Sequence, residues 1–205
     1  MDQSTLKYYS DNAAQVAERY ESVVSDLSAH FVDSFSKGGK ILDIGCGSGR
    51  DLAVLHQLGF DCYGVDPTPE LVAIAQHTHP ELVGRIALGE LPDLKIPFNG
   101  DFDGVLCSAV LMHIDIEQLP TTAAAITKCL KHGGRLLYSV PSKRLDVVAS
   151  NRDANGRLFI PDQAVRLNSL FSNLGFMEIA SWTNLDSMGR DSVEWVSVLL
   201  ELQAA

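Results

Sequence analysis

The chain has 205 residues, 46% of them hydrophobic and 20% charged, which is enough apolar material for one globular domain, 1–205, with a substantial core. Its 16 basic residues against 26 acidic ones leave a net charge of −10, a balance that repels phosphate backbones and makes nucleic acid an unlikely partner. No apolar run approaches the roughly 20 residues that span a bilayer, and the start, MDQSTLKYYSDNAAQ, lacks the basic and apolar regions of a secretory leader, so no membrane partner and a cytoplasmic location are expected.

Through residues 11–36, Val16, Tyr20, Val23, Val24, Leu27, Phe31 and Phe35 recur at gaps of mostly three and four, which predicts one helix stopped by the glycines of SKGGK. Residues 40–44 read as a short apolar strand, 48–59 as a helix closed by Gly59, and DCYGVD (61–66) as a second strand. PTPELVAIAQ follows as a helix, with Pro67 and Pro69 suited to its first turn. GRIALG (84–89) is a weaker third strand and DFDGVLCS (101–108) a fourth. A helix is expected over 116–134, regular only beyond residue 119 because of Pro120 and stopped by Gly133 and Gly134; RLLYSVP (135–141) is then the fifth strand.

Alternating strands and helices predict βαβ units and a parallel sheet. After an irregular stretch, 141–161, PDQAVRLNSLFSNLG reads as an amphipathic helix capped by Asp162 and Gly175. FMEIASWTNL (176–185) and VEWVSVLLEL (193–202), joined by the polar DSMGRD, predict an antiparallel hairpin at one sheet edge, with Trp182 and Trp195 packing the sheet. Cys46, Cys62, Cys107 and Cys129 form no CxxC pair, so neither a metal site nor a disulfide framework is expected and the thiols read as reduced and structural. His77, His79 and His132 read as surface residues.

The most informative stretch is ILDIGCGSGRD, residues 41–51, where the first strand turns into a helix. Ligands of open α/β sheets bind at the carboxyl ends of the strands, and Gly45, Gly47 and Gly49 would let one lie directly against the backbone. A dinucleotide fingerprint needs a third glycine at position 50, which is Arg50. The pattern is instead D-x-G-x-G-x-G, and Asp43 would repel a pyrophosphate but suit a cationic ammonium or sulfonium ligand. Asp66, at the end of the second strand, stands where a carboxylate holds a ribose diol.

These residues resemble the class I S-adenosylmethionine-dependent methyltransferases. LDIGCGSG is similar to the first motif of that family, GVDPTPELVAIA to its second, GELPDLKIPF to its adenine-binding segment, DFDGVLCSAVLMHID to its fourth motif, and LKHGGRLLYSVP to its turn into strand five. The resemblance covers residues 9–202 and implies a three-layer α/β Rossmann-like fold: a seven-stranded, mostly parallel sheet with a C-terminal antiparallel hairpin and helices on both faces. It implies S-adenosylmethionine as cofactor, S-adenosylhomocysteine as product, and residues 1–36 as a helical segment covering the cofactor. The cofactor-binding set it implies is Tyr9, Arg19, Tyr20, Asp43, Gly45, Cys46, Gly47, Asp66, Pro67, Glu90, Leu91 and Cys107. Glu90 stands where the family more usually has an aspartate.

His113, in SAVLMHID, is the candidate general base, since a histidine near its ordinary pKa accepts a proton at neutral pH; the alternative is a histidine packing a helix end. Substrate contacts are expected from Arg152, Arg157 and Phe159 in the long loop, where Arg144 also lies, and from Arg190 in the hairpin turn. Such arginines select a carboxylate or phosphate, or else are solvated surface charges. The leading reading is methyl transfer to an O, N or S atom of a small molecule by a monomer or homodimer. Two alternatives stay open: methylation of RNA or protein, and a non-catalytic regulatory protein that binds the same cofactor.

Overall fold

The structure, a computed structural model, describes residues 1–147, 150–160 and 163–204. Seven strands form one sheet: β1 (Lys40–Ile44), β2 (Asp61–Asp66), β3 (Ile86–Leu88), β4 (Phe102–Ser108), β5 (Leu130–Arg144), β6 (Phe176–Leu185) and β7 (Val193–Leu202), in the order β3-β2-β1-β4-β5-β7-β6. The first five run parallel, and β7 lies antiparallel to both β5 and β6. This is the expected Rossmann-like sheet with its terminal hairpin. The chain winds outward from β1 to β3 and returns to place β4 beside β1, which opens a crevice at the carboxyl ends of those two strands.

Successive side chains of a strand point to opposite faces, so each inner strand feeds two cores. Leu42, Val105 and Leu136 pack on one face with Leu119, Ala123 and Ile126 of α6 (Leu119–Thr127) and Leu167 and Phe171 of α7 (Gln163–Asn173). Ile41, Leu106 and Leu137 pack on the other with Leu52 and Leu55 of α4 (Arg50–Gln57) and Ala75 of α5 (Pro69–Thr78). All four cysteines are buried and free. No helix among the described residues is long and apolar enough to cross a membrane.

The N-terminal segment departs from the expectation of one helix over 11–36. It forms α1 (Gln3–Asp11), α2 (Ala13–Glu21), a 3-10 turn over Asp26–His30 and α3 (Phe31–Ser34). Asp2 caps α1 by accepting from the Thr5 amide at 2.9 Å, and Asn12, with φ −120°, breaks α1 from α2. The Ser22-Val23-Val24-Ser25 stretch then leaves the helix, as β-branched residues flanked by serines favour doing. Val24, counted as apolar face by its spacing, is 80% exposed.

Two boundaries also shift. Helix α6 ends at Thr127, well before Gly133, because Leu130 already pairs with Phe102 of β4. At its other end β5 runs on to Arg144, held by pairing with Val193 and Glu194 of β7, so the irregular loop begins later than expected. The helix cap expected at Asp162 lies outside the described residues, while Gly175, with φ +90°, follows α7 as expected.

Candidate active site

Strand β1 delivers the glycine turn. Gly45 and Gly47 have φ of +79° and +55°, a region that side chains rarely adopt. A Cβ on Gly45 would also collide with the Val110 side chain, whereas one on Gly47 would meet nothing closer than Tyr20 Cδ2 at 3.9 Å. Gly45 therefore serves the packing of β1 against the segment after β4. Gly47 keeps a piece of bare backbone facing open space.

Two carboxylates flank this turn. Asp43 is 1% exposed and its Oδ1 has no hydrogen-bond partner. Burial, with the nearby charges of Asp51 and Asp66, pushes its carboxyl well above the usual range, against the opposing pull of Arg50. Asp66, at the end of β2, accepts from the Gly47 amide at 2.9 Å and from the Thr68 amide at 2.8 Å, one on each oxygen. Burial raises its pKa, and the two amides oppose that shift.

Across the crevice, β4 ends at Ser108, and Ala109 follows with a φ of +57°, which places a non-glycine residue in the left-handed region at the cleft wall. The 3-10 turn that follows carries His113, 2% exposed. Its Nδ1 bonds the Leu158 carbonyl at 2.5 Å, which places the ring proton there and leaves Nε2 to accept from the Tyr9 hydroxyl at 3.2 Å. Burial lowers the His113 pKa to about 4, with Arg157 and Arg144 adding to the shift, so the ring is neutral at physiological pH.

The loop of residues 150–160 and α1 together roof this side. The Leu158 amide donates to Thr5 Oγ1 at 2.9 Å, and Arg152 donates to both oxygens of Asp2 at 3.0 and 2.8 Å. Arg157 donates twice to Asp153 Oδ2, at 2.9 and 2.7 Å, and sits over the Tyr8 and Phe159 rings. Arg144 stacks on Phe159 at 3.8 Å while pairing with Asp146. In the hairpin turn, Asp186 accepts from Arg190 and, at 2.9 Å, from the Trp195 indole. Every arginine expected to select an anionic acceptor thus already holds a carboxylate.

One cleft brings together Tyr9, Arg19, Tyr20, Asp43, Gly45, Cys46, Gly47, Asp66, Pro67, His113, Arg157, Phe159 and Arg190 from the expected set. Glu90, Leu91, Cys107 and Arg152 do not line it. Glu90 and Leu91 instead contact the Met1 amino group, at 3.4 Å and 2.8 Å, and Met1 does line the cleft. Cys107 is fully buried inside β4. Arg144 of the expected loop lines the cleft too, and Ala109, Asp186 and Trp195 join it although the sequence does not mark them as site residues. Trp195 packs against the core of the sheet, as its alternation with polar neighbours suggests, and lines the cleft as well. His79, read as a surface residue, has a side chain only 14% exposed.

A family profile described as a methyltransferase domain matches residues 13–195. The chain belongs to this methyltransferase family. Its sheet order is that of a Rossmann-like fold. An uncharacterized methyltransferase of Alkaliphilus oremlandii is 28% identical over 125 residues, 61% of this chain and 55% of that protein. A ubiquinone biosynthesis O-methyltransferase of Xanthomonas oryzae pv. oryzae is 33% identical over 107 residues, 50% of this chain and 43% of that protein. The chain thus spans about half the length of these curated relatives. The crystal structure of Burkholderia thailandensis 1,6-didemethyltoxoflavin-N1-methyltransferase, with 1,6-didemethyltoxoflavin and S-adenosylhomocysteine bound, shares the fold at a TM-score of 0.76 and 18% identity, over 98% of this chain and 88% of that one.

The donor set of the cleft suits the family's cofactor. The unpartnered Asp43 oxygen is a ready acceptor for an ammonium group, and the bare backbone at Gly47 is a cradle that a Cβ would fill.

Proposed function

We propose that this methyltransferase moves a methyl group from S-adenosylmethionine to an O, N or S atom of a compact small-molecule acceptor by in-line displacement. The observation that carries this reading is the buried, unpartnered Asp43 oxygen beside Gly47, facing across one cleft a neutral His113. Asp43 takes the ammonium of the methionine portion, with Gly45, Cys46 and Gly47 presenting backbone and Arg19 and Tyr20 standing on the carboxylate side. Asp66 accepts from the ribose hydroxyls on the lone pairs that the Gly47 and Thr68 amides leave free, and Pro67 packs beside them. Glu90 and Leu91, next to the cleft-lining Met1, take the adenine edge, with Cys107 beneath. Residues 1–36 cover this half of the site within a domain of residues 1–205.

The bound cofactor supplies a methyl group activated on a sulfonium. The chain aligns the acceptor with it, excludes water and receives the acceptor's proton. That proton passes to the Tyr9 oxygen as the Tyr9 proton passes to His113 Nε2, along the hydrogen bond already in place. With a pKa of about 4, below the ordinary value expected of it, His113 is a weak base, which suits an acceptor whose own proton is acidic or is lost only as the methyl group arrives. Phe159, Trp195 and the paired Arg157 and Arg190 form the acceptor's walls, and Arg152 supports them from outside through Asp2. The compact acceptor is drawn from the O-methyltransferase and toxoflavin-type relatives, and the arginine–carboxylate pairs favour a neutral or weakly acidic one.

Thermal unfolding with S-adenosylhomocysteine, and with NAD and NADP as controls, tests the cofactor half. Ligand at 100 times its dissociation constant adds about 2.7 kcal/mol, a rise of roughly 5–10 °C for a chain of this size. A shift with NAD, or none with S-adenosylhomocysteine, would sink the reading.

A further inference from the structure

The glycine turn is also where the N-terminal segment is fastened. Glu21, the last residue of α2, accepts from Ser48 Oγ at 2.6 Å and lies 3.2 Å from His79 Nε2. Ser48 is buried and follows Gly47 directly. His79, just beyond α5, packs against Gly49, where a Cβ would stand 3.2 Å from the ring carbon Cδ2. Glu81 stands 3.7 Å from the other ring nitrogen. The third glycine of the motif therefore makes room for a protein side chain, and one carboxylate joins α2, the glycine turn and the end of α5.

Two further ties reach the start of α4 from the same segment: Arg50 Nη1 donates to the Tyr20 carbonyl at 3.4 Å, and Ser25 Oγ donates to Asp51 at 3.2 Å. The apolar support of α2 comes from three residues, the fully buried Val16 and two alanines. Ala13, Ala17 and Leu71 form a small cluster with Tyr9 and Ile74, apart from the cores on both faces of the sheet. Two alanines and one valine bury limited area, so the polar junction adds materially to what holds α2 down. Arg19 and Tyr20, immediately before Glu21, line the cleft, whereas Glu21 itself does not.

We propose that Glu21 is a positioning residue: its bonds to Ser48 and His79 latch α2 over the cofactor and slow its release. The inference rests on the cofactor reading above. Its test is the kinetics of S-adenosylhomocysteine binding to the full chain, by stopped flow, for the wild type, Glu21→Ala, Glu21→Gln and Ser48→Ala. Loss of a hydrogen bond to a charged group predicts release about tenfold faster in Glu21→Ala, with association undiminished because ligand enters the open state.

Glu21→Gln keeps an acceptor for Ser48 and restores most of the slow release. Ser48→Ala reproduces Glu21→Ala, and the double variant adds little, as coupled partners require. Unchanged release in both alanine variants overturns the latch. So does slower association that accounts for the lost affinity, since that is damage to the site itself. If Glu21→Ala does not fold, Ser48→Ala alone decides. A wild type that fails to bind S-adenosylhomocysteine instead removes the cofactor reading, a result distinct from either.

Discussion

The Tyr9 hydroxyl and His113 Nε2 stand 3.2 Å apart although 104 positions separate them in the chain. The hydrogen bond from Nδ1 to Leu158 fixes which nitrogen accepts, and burial keeps the ring neutral, so the pair has a defined donor and a defined acceptor.

That neutrality has a stability signature. Between pH 6.5 and about 4 the unfolded chain binds a proton at His113 that the folded chain does not, so stability falls as pH drops through this window. The full loss is about 3 kcal/mol for this group. Asp43, whose folded pKa is raised, contributes with the opposite sign, so the comparison must be with His113→Asn. Denaturant unfolding at pH 7 and pH 4.5 should show the wild type losing more stability than the variant; equal losses would mean the ring is not buried neutral.

The first two glycines of the motif should fail in different ways. Gly45→Ala places a methyl group into Val110 at φ +79° and should cost stability beyond the roughly 1–2 kcal/mol of a left-handed alanine. Gly47→Ala meets no protein atom within 3.4 Å and should cost only that backbone term, about 1–2 kcal/mol, while S-adenosylhomocysteine binding is lost. Paired melting curves and calorimetry read the two effects separately.

Asp66→Ala removes both the ribose acceptor and the brace under the Gly47 amide. Affinity for S-adenosylhomocysteine should fall by about 1.5–3 kcal/mol in calorimetry. Unchanged affinity would place the ribose elsewhere.

Thr5→Val tests the roof. It keeps the shape of a fully buried side chain but leaves the Leu158 amide without its partner, at a cost of about 1–3 kcal/mol. Faster hydrogen exchange at the Leu158 amide should accompany the loss, and a drop in stability without that local change would point to Asp2, which accepts from the same hydroxyl.

The strands were largely legible because the signals are local, whereas their order in the sheet was not. An apolar run such as ILDI or VLCS shows its burial in consecutive residues, and the bounds of β6 and β7 agree with FMEIASWTNL and VEWVSVLLEL. The N-terminal segment was not legible in the same way. Its spacing looked helical through Val23 and Val24, yet what sits beneath that face depends on where α5 and the glycine turn end up, and there Ala13, Val16 and Ala17 are the residues of α2 that become buried.

The same contrast divides the site. By itself the sequence determined the fold class, the glycine turn and the two carboxylates at the ends of β1 and β2, because period, punctuation and spacing within about 25 residues express them. Only the tertiary structure decided that His113 is neutral and bonded to Tyr9, that Arg144, Arg157 and Arg190 each hold an aspartate, and that Trp195 faces the cleft. The protonation of a ring and the freedom of a charge depend on burial and on neighbours within a few ångströms, and those neighbours include residues from distant parts of the chain.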